Sequence, residues 1–144
     1  MGSAVRVVKT EIEIAAAPMD VWAALIDLGG YPKWNPILPS GSGEVRLGGR
    51  PTLRMASIGR IRVRFRPLVL VADPGTELRW IVKVPGVFGG DHVFALSAVA
   101  GGTRLEQSEA YSGLLAPVFG AFTHRIERRF RALNESLKTY VETA

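Results

Sequence analysis

The spacing of hydrophobic and polar positions changes along the chain and divides it into three parts. From Ala4 to Ala15 apolar and polar residues alternate, with Val5, Val7, Thr10, Ile12 and Ile14 set against Arg6, Lys9, Glu11 and Glu13. This predicts a strand with one shift of register. Helical spacing follows: Pro18 suits a first helical turn, Val21, Trp22 and Leu25 share a face, and Gly29-Gly30 ends the element. Tyr31-Pro32-Lys33-Trp34-Asn35-Pro36 is too rich in proline for a long helix and predicts a turn or a second short helix.

Strand spacing returns between Gly41 and Ser112. It predicts strands at Gly43–Gly48, Pro51–Ser57, Arg60–Ala72, Glu77–Val84, Asp91–Val99 and Thr103–Ser112. Between them lie Gly48-Gly49, Gly59, Asp73-Pro74-Gly75, Pro85-Gly86 with Gly89-Gly90, and Gly101-Gly102, short breaks that favour an antiparallel meander. The last part is helical. Leu115, Val118, Phe119, Phe122, Ile126, Phe130, Leu133, Leu137 and Tyr140 form one apolar stripe on a helix of about 26 residues, some 40 Å long at ~1.5 Å per residue. Such a helix needs a wide surface to lie on, and a curved sheet of seven strands provides one. No repeat or low-complexity linker interrupts the pattern, so a single domain over residues 1–144 is expected.

Composition narrows the chemistry. The chain has 144 residues, 47% of them hydrophobic, and no cysteine, which removes thiolate catalysis, redox-active pairs and the cysteine-containing zinc and iron–sulfur sites. No apolar run approaches the ~18 residues of a membrane span, and the opening residues lack the apolar core of a signal peptide; a soluble, cytoplasmic protein is the expectation. Eighteen Lys and Arg against 13 Asp and Glu leave a modest charge of +5, so the placement of charge matters more than its total. There is no dinucleotide loop, P-loop or hydrolase elbow, and two histidines are too few for a multi-histidine metal site. Neither cofactor nor metal is expected.

Register points to a polar site. If the last hairpin turns at Ala100-Gly101-Gly102, Leu96 lies opposite Leu105, Phe94 opposite Gln107 and His92 opposite Glu109. Phe94, Leu96 and Leu105 should face inward, and they carry His92, Gln107, Glu109 and Tyr111 with them. His92 beside Glu109 is then a candidate acid/base pair, or a polar bridge holding the Pro85–Asp91 loop to the last strand. Trp34, Met55, Phe65, Trp80, Phe94, Phe119 and Phe122 are the large side chains that either fill a core or line an apolar pocket, with Gln107 and Tyr111 as its polar contacts. Asn35, before a proline, reads as a turn former, and His124 lies opposite the apolar stripe. Arg125 and Arg129 fall at the edge of that stripe, where either could grip a carboxylate. Arg60, Arg62, Arg64 and Arg66 alternate with Ile61, Val63 and Phe65 and so make a basic outer stripe without the stacking aromatics that single-strand nucleic-acid binders carry.

Several stretches in this order carry a family resemblance: Ala17-Pro18-Met19-Asp20-Val21-Trp22, Tyr31-Pro32-Lys33-Trp34-Asn35-Pro36, Leu78-Arg79-Trp80, Gly90-Asp91-His92-Val93-Phe94 and Glu109-Ala110-Tyr111-Ser112-Gly113. With the order strand, two short helices, six strands and long helix, the chain resembles the START-like helix-grip superfamily, also called SRPBCC, in its polyketide-cyclase/dehydrase-like branch. The resemblance implies an α+β fold in which a seven-stranded antiparallel sheet curls around the C-terminal helix and leaves a cavity for an apolar or amphipathic small molecule. It implies no single reaction, since the superfamily holds cyclases, lipid carriers and hormone receptors. Three functions stand open: binding of a lipid- or polyketide-like molecule, a cyclase or dehydratase using His92 and Glu109, and an interaction module that meets an anionic partner through its outer arginines. Monomer and homodimer are both compatible with the chain.

Overall fold

The computed structural model describes residues 6–56 and 62–144; the predicted strand start at Ala4 and Val5, the Gly59 turn and the Arg60-Ile61 pair lie outside them. Strand β1 (Arg6–Ile14) pairs along its whole length with a C-terminal strand, Arg6 opposite Tyr111 through Ile14 opposite Thr103. An unbroken ladder leaves no place for the expected register shift. The period of two then turns Val8, Thr10, Ile12 and Ile14 to one face and leaves Val7 61% exposed. Helix α1 (Pro18–Ile26) starts on its proline and buries Val21, Trp22, Ala24 and Leu25. A 3₁₀ turn over Leu28–Lys33 follows, and its buried Tyr31 donates a 2.6 Å hydrogen bond to the Leu25 carbonyl. Burial, helped by the charge of Asp27, pushes the Tyr31 hydroxyl above its ordinary pKa.

Eight strands, all paired antiparallel, form two sheets among the described residues. The small sheet has the order β2 (Ser40–Ser42), β3 (Thr52–Arg54), β4 (Arg64–Phe65). The large one has the order β1-β8-β7-β6-β5, built with β5 (Leu68–Asp73), β6 (Glu77–Val84), β7 (Phe88–Val99) and β8 (Gly102–Ser112). This corrects the expected seven-stranded sheet. Pro67, which has no N–H for a ladder, separates β4 from β5 within the predicted Arg60–Ala72 strand, and a bulge follows at Val69/Val71. The predicted Gly43–Gly48 strand is not a strand. Only its end meets the sheet edge, where the Gly48 N–H donates to the Val69 carbonyl at 2.9 Å and the Val69 N–H to the Gly49 carbonyl at 3.0 Å. Phe88, Gly89 and Gly90, read as loop, begin β7.

The predicted 26-residue helix is two helices, α2 (Ala116–Gly120) and α3 (Thr123–Glu142), broken at Ala121-Phe122. Gly120, a poor helix former, stands at the break. The stripe survives along α3, where Phe130, Leu133 and Leu137 are buried against the large sheet, whereas Leu115, Val118 and Phe122 are exposed around α2. The main core joins these α3 leucines to Trp22, Leu25, Leu53, Leu78, Trp80, Phe94 and Leu105. It places the inner faces of β7 and β8 directly beneath α3.

Candidate functional site

The last hairpin has the expected register: Leu96 faces Leu105, Phe94 faces Gln107 and His92 faces Glu109. Gly101 makes the tight turn possible with φ 82°, a left-handed conformation in which a side chain is strained. Alternation puts His92, Gln107 and Glu109 on the inner face with Phe94. His92 Nδ1 lies 3.2 Å from Glu109 Oε2 and its Nε2 lies 3.0 Å from Gln107 Oε1. The row continues across the interior. Gln107 Nε2 donates to Asn134 Oδ1 at 2.8 Å and to the Phe130 carbonyl at 3.4 Å; Asn134 Nδ2 donates to Thr10 Oγ1 at 2.9 Å, and the Thr10 hydroxyl donates to the Gln107 carbonyl at 3.4 Å.

The direction of this row follows from its one fixed end. A backbone carbonyl can only accept, so the Phe130 oxygen orients the Gln107 amide with Nε2 toward α3 and Oε1 toward His92. Both imidazole nitrogens therefore face acceptors. His92 and Glu109 are largely inside, with side chains 12% and 20% exposed.

Two opposing effects act on Glu109. Burial pushes its pKa up, but hydrogen bonding to His92, the charge of His92 and the neighbouring Tyr111 hydroxyl outweigh burial and hold the carboxyl below its ordinary value of 4.5. Burial and the same carboxylate keep the Tyr111 hydroxyl protonated well above its usual range. A carboxyl depressed in the folded state adds stability above its unfolded pKa and loses it as pH falls through the folded value. The melting temperature should therefore drop on acidification below about pH 4.5 more steeply in the wild type than in Glu109→Gln. Equal slopes in thermal melts between pH 6 and pH 3 would dismiss this role for Glu109.

Aromatic rings pack around the row. Trp80 meets Phe94 edge to face at 5.9 Å, and His92 lies 4.6 Å from Phe94 and 5.1 Å from Phe130 between ring centroids. At the end of the sheet, α2 lays Phe119 parallel on Tyr111 at 5.0 Å and against Phe88 at 4.8 Å. The structure thus brings together His92, Glu109, Gln107, Tyr111, Trp80, Phe94 and Phe119. Met55 and Phe65 pack at the edge of the main core. Trp34 stacks on Tyr140, 6.2 Å away toward the C-terminal end of α3, and its buried Nε1–H meets no acceptor among the described residues. Phe122 stays 45% exposed with the Arg125 guanidinium 5.6 Å over its ring. Arg129 and His124 are exposed, and Asn35 Oδ1 accepts from the Ile37 and Leu38 N–H groups, closing a turn.

Thr10 and Asn134 complete the polar row without having been singled out as site residues. Asn134 stands in the buried face of α3 four residues after Phe130 and three before Leu137, and a polar residue inside an apolar stripe is the pattern that could have found it. Thr10 hid in the alternation of β1, where a threonine suits a strand as well as a valine does.

Comparison with known proteins agrees with this architecture. The structure of protein CV1439 from Chromobacterium violaceum is similar, with a TM-score of 0.77 and 16% identity, covering 94% of this chain and 97% of that one. Ara h 8.0201 matches with a TM-score of 0.75 and 15% identity over 98% of this chain and 100% of its own. The di-domain ARO/CYC StfQ from the steffimycin biosynthetic pathway matches with a TM-score of 0.76 and 14% identity over 96% of this chain and 52% of its own length. At these identities the likeness is one of fold. No curated protein matches the sequence. No helix among the described residues is long and apolar enough to cross a membrane. The family profile described as "Polyketide cyclase / dehydrase and lipid transport" matches residues 5–142, nearly the whole chain, and the protein belongs to that START-like family.

Proposed function

We propose that the protein binds a hydrophobic or amphipathic small molecule, lipid- or polyketide-like, between the large sheet and α3. One observation carries the reading: the interior is walled by aromatic and aliphatic side chains yet holds a connected row of polar groups on β1, β7, β8 and α3. Apolar ligand surface supplies the driving force, at ~25 cal/mol per Å² removed from water, and a few fixed polar groups set orientation. His92, Gln107, Glu109 and Tyr111 are the orienting groups, Trp80, Phe94 and Phe119 the apolar contacts. The Trp34 Nε1–H, without an acceptor among the described residues, offers a ligand oxygen a hydrogen bond at the far end.

Trp80, Phe94, His92 and Phe130 pack ring against ring in this space, so a ligand enters by displacing side chains. Phe119 is the movable piece, since α2 is only five residues long and leaves Leu115 and Val118 in solvent. Native mass spectrometry of freshly purified protein should find a co-purifying small molecule and report the oligomeric state. An apolar fluorescent probe should enter Phe119→Ala several-fold faster than wild type. A clean apo mass together with no probe uptake by either protein would overturn the proposal.

In the second reading His92 and Glu109 move protons on a bound polyketide-like substrate. Both ring nitrogens already face protein acceptors, which favours binding, because a reacting group must first take the place of Gln107 at Nε2. Turnover of such a substrate, lost in His92→Ala and Glu109→Gln with folding intact, would establish the enzyme; turnover unchanged in both would end the dyad's claim. A cytoplasmic setting belongs to this proposal, in keeping with a chain that contains no cysteine.

A further inference from the structure

The small sheet presents a row of donors on its outer face. Leu53 is fully buried, and Gly41, Leu53 and Phe65 lie directly opposite one another, so this row faces the core. The adjacent row, Ser40 opposite Arg54 opposite Arg64, must face outward. Pairing continues one step further, with the Met55 N–H donating to the Val63 carbonyl at 2.8 Å, and this sets Arg62 on the same outer face, two residues from Arg64. An open cleft of about 480 Å³ lies here, lined by Ser40, Arg54, Arg62 and Arg64 with Met55 and Val63.

Arg54 and Arg64 are an unfavourable pair on their own, since like charges directly across an antiparallel ladder repel at a Cβ separation of about 4.5–5.5 Å. Elsewhere on the sheets basic side chains meet carboxylates: Lys9 with Glu106 at 3.4 Å, Arg104 with Glu13 at 3.0 Å, Arg79 bidentately with Asp91 at 2.8 and 2.5 Å. Arg54, Arg62 and Arg64 form no ion pair among the described residues. The stretches outside them, 1–5 and 57–61, contain no acidic residue that could supply one. Arg66, the next of the alternating arginines, is engaged otherwise, donating to the Arg50 carbonyl at 3.1 Å.

We infer that this cleft is a binding site for a phosphate group, held by Arg54, Arg64 and Arg62 with the Ser40 hydroxyl as a further donor. Guanidinium forks match the oxygen spacing of phosphate, and a dianion offsets the repulsion between the opposed arginines. Pro39, exposed and also lining the cleft, offers the rest of the ligand an apolar surface. The phosphate belongs either to a soluble phosphoester or to the headgroup of an anionic lipid. The site lies on the outer side of the small sheet and is independent of the interior binding proposed above.

Titration of the isotopically labelled protein with inorganic phosphate, at ionic strength held constant with sodium chloride, should give saturable amide shifts confined to β2, β3 and β4. Arg54→Gln and Arg64→Gln should each weaken that response about tenfold. Without phosphate at low ionic strength either variant should melt no lower than wild type, because a like-charge repulsion is removed; this also verifies folding. Vesicles of phosphatidylcholine with and without phosphatidic acid separate the two sources: co-sedimentation only with phosphatidic acid, lost in both variants, assigns a lipid headgroup, while a phosphate response without co-sedimentation assigns a soluble phosphoester. Responses equal to those of added chloride, or no response in either arm, would overturn the site. Binding to single-stranded DNA without a saturable phosphate response would overturn it in favour of a nucleic-acid surface.

Discussion

Gln107→Leu is expected to lower the unfolding free energy by about 2–4 kcal/mol, because a buried donor or acceptor stranded without its partner costs about 1–3 kcal/mol. Leucine nearly fills the volume, so the loss is one of polar pairing and not of packing. His92 Nε2 and Asn134 Oδ1 both lose their partners, whereas the Phe130 carbonyl keeps its place in the α3 backbone ladder. Urea denaturation measures the change. The half-exposed neighbour Glu106→Gln is the control, since its 3.4 Å pair with Lys9 lies at the surface and contributes about 0–1 kcal/mol. Adding Asn134→Leu to Gln107→Leu should cost clearly less than the sum of the two single changes, because the second change removes one stranded group. A single-variant loss under ~1 kcal/mol, or strict additivity, would show that the row contributes little to the fold.

Gly113→Ala is the other change expected to act strongly, with a loss of at least ~2 kcal/mol from a left-handed backbone and a backbone clash together. Gly113 has φ 92°, and a Cβ there would stand 2.6 Å from the Val87 carbonyl oxygen and 2.8 Å from the Phe88 nitrogen. Neither is the free end of a flexible side chain, so the backbone itself must move. The same Val87 carbonyl accepts the Leu115 N–H at 3.0 Å, which anchors the entry to α2. The variant should therefore loosen Phe119 from Tyr111 as well as melt earlier, and at a temperature where it remains folded it should take up an apolar probe faster. Melting within ~1 °C of wild type would contradict the steric argument.

Much of the site was legible because its information is local. A period of two over β7 and β8, with one glycine turn between them, is enough to place His92 opposite Glu109 and Phe94 opposite Gln107. A one-residue slip would have turned Phe94 and Leu105 into water. The period near 3.6 similarly marks the buried face of α3 through Phe130, Leu133 and Leu137. The break at Ala121-Phe122 leaves no mark in the spacing, because the stripe of apolar residues runs on through it. The same spacing serves one straight helix or two helices that meet different surfaces.

The remaining features depend on which distant segments meet. Asn134 and Thr10 are 124 positions apart, and their bond through the interior follows from α3 lying on β1 and β8, not from any motif. The eight strands divide into sheets of five and three because Pro67 interrupts one ladder and the Gly48-Gly49 turn takes the edge of β5. Arg54 and Arg64 become neighbours only when β3 pairs with β4. Side-chain alternation and turn chemistry are properties of a few adjacent residues and can be read along a chain. Partners across the interior, the closure of an edge and the meeting of like charges are set by the packing of elements far apart in sequence, and the folded protein alone defines them.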